Sequence, residues 1–192
     1  MLTNTQNRAI VPGSLGAMAR QNNQTLAESF LSVDAIIVVD MSGSMAAMDA
    51  PGGRSRYEAA EQELRDLQQQ LPGKIAVVAF SSSVQFCPSG IPPRLGGGTA
   101  LTAALRFVHP ADGVARIIVI SDGQPDSPGD ALREARRFKH KIDTIYIGPE
   151  DGWGSGGQAF LQELAAATGG QNLQGAAPGL LKNEALKLLS AA

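Results

Sequence analysis

The chain has 192 residues, 43% hydrophobic and 18% charged, enough to bury one core and fold as a domain of ordinary size. A formal net charge of −2 argues against nucleic acid or an anionic membrane as the main partner. The single cysteine, Cys87, excludes an internal disulfide and a multi-cysteine zinc site, and no apolar run approaches the length of a membrane span.

In chain order, the opening stretch MLTNTQNRAIVPGSLG lacks a basic flank followed by an apolar run. No secretory signal is expected, and the expected compartment is the cytoplasm. Residues 1–32 stand outside the regular pattern that follows. Thr25 and Glu28 form a capping box leading into Leu26, Phe30 and Leu31, which predicts a short helix. Residues 1–24 read either as a loose arm or as a segment wrapped onto the domain, and both readings stay open.

The domain proper is expected over 33–192. Four runs rich in Ile and Val, VDAIIVV, KIAVVAF, ARIIVI and KIDTIYIG, are apolar on consecutive positions. Such runs suit parallel strands covered on both faces. SVQFCP is a short edge strand limited by Pro88, and GQNLQ a short last strand. Between them lie helical segments. Ser55 and Glu58 make a capping box, and Tyr57, Ala60, Leu64, Leu67 and Leu71 follow as one apolar stripe that ends at Pro72-Gly73. Further helices are expected at about 101–108, from Ser127 and Pro128 with Leu132, Ala135 and Phe138 inward, at about 158–168, and over 178–192. This repeated alternation predicts an α/β fold, a doubly wound sheet with helices on both faces.

In such sheets ligands bind beyond the carboxyl ends of the strands, where the strand order reverses. The residues that follow the apolar runs are Asp40, Ser42 and Ser44 after the first, and Ser121-Asp122-Gly123 after ARIIVI. The glycine-rich LGGGTAL adds Thr99. Two carboxylates and three hydroxyls form an all-oxygen set, which suits a hard cation: Mg²⁺ first, with Mn²⁺ and Ca²⁺ as competitors. Two carboxylates balance a divalent ion without surplus, so an outside carboxylate can complete its shell. LGGGTAL has no following Lys-Ser or Lys-Thr and is not a P-loop. Thr99 also suits a helix N-cap. Asp126 reads as a supporting or surface residue, Asp49 as a solvated turn, Ser121 as backbone support, and REARRFKHK as a solvated helix face. Trp153 is either an exposed loop contact or folded back on the sheet end.

The Asp-x-Ser-x-Ser pattern, the Thr in a glycine-rich loop and the later Asp-Gly resemble the metal-ion-dependent adhesion site of von Willebrand factor A domains, over about 33–190. The resemblance implies a mostly parallel six-stranded sheet with one short antiparallel edge strand. It implies Asp40, Ser42, Ser44, Thr99 and Asp122 as metal-site residues. DMSGSM and SDGQPD are similar to intracellular bacterial members, some of which partner AAA+ ATPases or belong to stress-response gene sets. The expected function is metal-dependent recognition of another protein through an acidic side chain. The alternatives are a scaffold that the metal mainly stabilises and, from another class, a metal-dependent hydrolase. Catalysis is not expected. The residue two after Asp40 is Ser42 rather than an acid, and both histidines, His109 and His140, fall toward the opposite end of the sheet.

Overall fold

The strands order themselves around one buried central pair. The structure, a computed structural model, describes residues 10–50, 52–148 and 155–174, and 183, 185–187 and 189 near the C-terminus. Six strands, β1 (Ala35–Asp40), β2 (Ile75–Phe80), β3 (Val84–Phe86), β4 (Arg116–Ser121), β5 (Ile142–Tyr146) and β6 (Asn172–Gln174), form one sheet in the order β3-β2-β1-β4-β5-β6. Every pairing is parallel except β2–β3, which is antiparallel at the edge. β1 and β2 are buried at every position, as apolar strands covered on both faces must be.

Alternate β1 side chains feed two cores. Ile36 and Val38 join Leu105 of α4 (Leu101–Val108), Leu132 and Ala135 of α5 (Pro128–Ala135) and Leu164 of α6 (Ser155–Thr168). Ile37 and Val39 join Tyr57, Ala60, Leu64 and Leu67 of α3 (Arg56–Gln70), together with Ala185. The expected doubly wound sheet with helices on both faces is thus observed. Full burial of an Ile or Leu in such a core contributes about 1.5–3 kcal/mol, so the two layers set where the strand ends lie.

The expected helices are present with local differences. α3 carries the full capping box: Glu58 N–H donates to Ser55 Oγ at 3.1 Å and Ser55 N–H to Glu58 Oε2 at 3.0 Å. The residue before α4 is Ala100, so Thr99 is not its cap. Ser127 does precede α5, but its hydroxyl accepts no capping bond, and Pro128 at the first turn has no N–H to offer. Gly169, at φ 73°, follows α6. Trp153 and most of the expected final helix lie outside the described residues; 183, 185–187 and 189 are helical.

Before β1 the chain forms α1 (Leu15–Gln21) and α2 (Leu26–Phe30), the latter with the predicted Thr25–Glu28 box. α1 was not expected. From Val11 onward this segment lies on the domain: Val11 N–H donates to Ser89 O at 3.1 Å and Gly16 N–H to Pro88 O at 2.8 Å. Gly13 has φ 83°, and a Cβ there would stand 2.2 Å from Gln68 O, so only glycine permits the contact.

Candidate metal centre

β1 runs inward with apolar residues and ends on Asp40, which has no exposed surface. The winding of the sheet reverses between β1 and β4, and this is where the carboxylate sits. Asp40 Oδ1 accepts the Ser42 N–H at 2.8 Å, which folds the loop back over the strand end. Its Oδ2 accepts the Ser121 hydroxyl at 2.6 Å, from the last residue of β4. Ser121 therefore acts through its side chain, beyond the backbone support expected of it.

Contacts continue from there. Ser42 Oγ and Ser44 Oγ are 3.1 Å apart, and the Ser44 hydroxyl donates to Asp122 Oδ1 at 2.8 Å. Four of the five predicted residues thus form one connected chain, Asp40–Ser42–Ser44–Asp122. A serine that donates its proton to a carboxylate keeps its oxygen lone pairs for another partner.

Thr99 reaches the site through its loop rather than through a side-chain bond to the other four. Gly43 N–H donates to Gly97 O at 3.0 Å, and Gly96 N–H to Met41 O at 2.9 Å, so the two loops are tied by their backbones. Asp126 fixes the far side of this loop: Thr99 N–H donates to Asp126 Oδ1 at 2.9 Å, and Asp126 N–H to Thr99 O at 3.0 Å. Asp126 is thus a supporting residue. Gly97 has φ 82°, and a Cβ on it would meet Ser82 Oγ at 2.7 Å. That tight approach and the positive φ account for Gly97, and a Cβ on Gly98 would meet Asp126 Oδ2 at 2.8 Å.

Electrostatically Asp40 bears the cost of a buried carboxylate. Burial pushes the Asp40 carboxyl up to about 6; hydrogen bonds from Ser121 and Ser42 offset part of the shift, and the Asp122 charge adds to it. A cation near both carboxylates would reverse that penalty. The donor chemistry, two carboxylates and three hydroxyls without nitrogen or sulfur, fits a hard divalent ion. Among the described residues no cluster of three or more His, Cys, Asp and Glu suits a metal, so any cation here relies on the hydroxyls.

Sequence reasoning missed Arg56. Its Nη1 donates to Asp122 Oδ2 at 2.5 Å, while Nε and Nη2 donate to Asp49 Oδ1 and Oδ2 at 2.8 and 2.5 Å. Asp49 is thus no merely solvated turn, although its side chain is 49% exposed. One signal was available. Arg56 is the first residue of α3, where a positive charge opposes the helix dipole, and such a placement asks for an anionic partner.

Neither histidine approaches the serines. His109 precedes β4 and His140 precedes β5, both parallel to β1, whereas Ser42 follows the carboxyl end of β1. A six-residue strand separates those ends by about 20 Å. His140 Nδ1 instead lies 3.1 Å from Asp112 Oδ1.

Neither a known sequence family nor a curated protein matches the chain. Solved structures do. An aerotolerance-related membrane protein from Bacteroides fragilis is 20% identical, with TM-score 0.66, over 83% of this chain and 100% of the other. A von Willebrand factor type A structure from Catenulispora acidiphila is 20% identical, with TM-score 0.61, over 83% of this chain and 42% of the other. Manganese-loaded TRAP from Plasmodium vivax is 18% identical, with TM-score 0.50, over 82% of this chain and 72% of the other. At these identities the likeness speaks for architecture, and it agrees with the strand order found here: the chain has the von Willebrand factor A fold.

Proposed function

We propose that this chain is a protein-recognition domain that binds a divalent cation through Asp40, Ser42, Ser44, Thr99 and Asp122. An acidic side chain of the partner protein completes the ion's shell. The observation that carries this reading is the connected chain Asp40–Ser42–Ser44–Asp122 at the point where the sheet reverses its winding. The all-oxygen donors favour Mg²⁺, with Mn²⁺ and Ca²⁺ as alternatives. The manganese carried by the Plasmodium vivax neighbour supports an ion of this class.

Recognition rather than catalysis is the proposed activity. The site offers no imidazole, and Ser42 stands where a hydrolase of the aspartate-nucleophile kind needs its second acid. The motif resemblance to intracellular bacterial domains makes an AAA+ ATPase the first partner to test and the cytoplasm the proposed compartment. No helix among the described residues is long and apolar enough to cross a membrane.

One observation favours a second reading. Asp40 is fully buried and its carboxyl is pushed up to about 6, so an ion there would also stabilise the fold, as in a scaffold. Replacing Asp40 by Ala separates the two. Recognition predicts loss of the captured ATPase in a pull-down with a modest drop in melting temperature. The scaffold reading predicts collapse of the melting transition with capture unchanged in the protein that stays folded.

A further inference from the structure

We infer that Arg56 is a built-in counter-charge of this site, one that lowers its affinity for a divalent cation and so makes the ion depend on an outside anion. The inference rests on the cation-binding reading above and assigns a role to a residue which that reading does not use.

The geometry is that of a clamped cation. The Arg56 guanidinium spends Nε and Nη2 on the two oxygens of Asp49 and Nη1 on Asp122 Oδ2. The forked contact fixes its plane. Its side chain is 13% exposed, and that of Asp122 is not exposed at all. The Asp122 contact is therefore made away from water, where charge is weakly screened, whereas Asp49 faces solvent.

Asp122 has a second holder besides Arg56, the Ser44 hydroxyl, which donates to its other oxygen at 2.8 Å. What Arg56 adds is charge. Asp40 and Asp122 together present two negative charges, and Arg56 cancels part of the second by direct contact. The charge is permanent: hydrogen bonds from Arg56 to Asp49 raise its pKa further, against the opposing effect of burial, and the guanidinium stays protonated at any working pH. A divalent ion therefore meets less than its full balancing charge from the protein. A carboxylate arriving from outside supplies the remainder, so the ion and the acidic partner strengthen each other's binding.

The charges predict opposite effects for two substitutions. Arg56→Gln removes the positive charge while keeping a polar side chain. Asp49→Asn removes the solvent-side anion that neutralises Arg56. Isothermal titration of Mg²⁺ into the full chain should show about tenfold tighter binding for Arg56→Gln and about threefold weaker binding for Asp49→Asn. Unchanged or weaker binding by Arg56→Gln overturns the inference, since Arg56 would then be only a brace for Asp122. If Arg56→Gln does not fold, Arg56→Met decides in its place: tighter binding supports the inference, and equal or weaker binding overturns it. Absence of Mg²⁺, Mn²⁺ and Ca²⁺ binding by the unsubstituted chain is a different failure. It removes the cation reading itself, and the inference with it.

Discussion

Ser121 donates its hydroxyl hydrogen to Asp40 Oδ2 at 2.6 Å, joining the carboxyl ends of β4 and β1 across the line where the sheet reverses its winding. Both residues are buried, so neither has water to fall back on. Asp40 can stand at this strand end because Ser121 and the Ser42 N–H each satisfy one of its oxygens.

Ser121→Ala deletes one of these donors and leaves a buried carboxylate oxygen short of a partner. Such a loss costs about 1–3 kcal/mol. Urea unfolding at pH 7 in EDTA should show a destabilisation of that size. A change within about 0.5 kcal/mol, ordinary for a surface substitution, would contradict this role.

The raised Asp40 pKa has a defined consequence for pH dependence. Its folded value of about 6 exceeds the ordinary 3.8, so the folded state holds the proton more tightly than the unfolded chain does. The resulting stability is fully present below about pH 4 and is lost as pH rises through about 6. Asp49, Asp112 and Glu134 are shifted the other way, so the signal lies in a difference between proteins. In EDTA, the stability of the parent chain relative to Asp40→Asn should fall by about 2–3 kcal/mol between pH 4 and pH 7. A flat difference curve across that range would show that Asp40 is not strained as a carboxylate.

Gly97→Ala tests how Thr99 is positioned. The backbone there has φ 82° and the added methyl would meet Ser82 Oγ at 2.7 Å, so the loop must shift. Because Gly97 O also holds the Gly43 N–H, the shift moves the serine loop as well. The variant should lose about 1–2 kcal/mol of stability and most of any cation-induced rise in melting temperature. Retention of the full cation response would mean that Thr99 plays no part in binding.

Local signals carried most of the architecture. Strands buried on both faces read directly as runs such as AIIVV, and the Ser55–Glu58 box marked the start of α3 with its register. Asp40, Ser42, Ser44 and Asp122 were legible because each follows a recognisable strand, and strand ends in a parallel sheet meet on one edge. What escaped depended on distant contacts. α1 is held by Gly13 against Gln68 O and by the Gly16 N–H bonded to Pro88 O, neither of which leaves a local pattern. The Arg56–Asp122 pair joins residues 66 positions apart. Thr99 looked like a cap by residue type alone, but its backbone is taken up by Asp126, and Ala100 precedes the helix instead.

A divalent cation bound by Asp40, Ser42, Ser44, Thr99 and Asp122, as proposed, would raise the stability of the fold. Thermal melting of the full chain in EDTA and in millimolar Mg²⁺, Mn²⁺ or Ca²⁺ tests it most directly, with Asp40→Asn as the paired control. At a hundredfold excess over its dissociation constant an ion stabilises by about 2.7 kcal/mol, a rise of about 5–10 °C for a chain of this size. A rise of that order is expected in at least one ion for the unsubstituted chain and none for Asp40→Asn. No shift in any of the three ions, or an equal shift in the control, would contradict it.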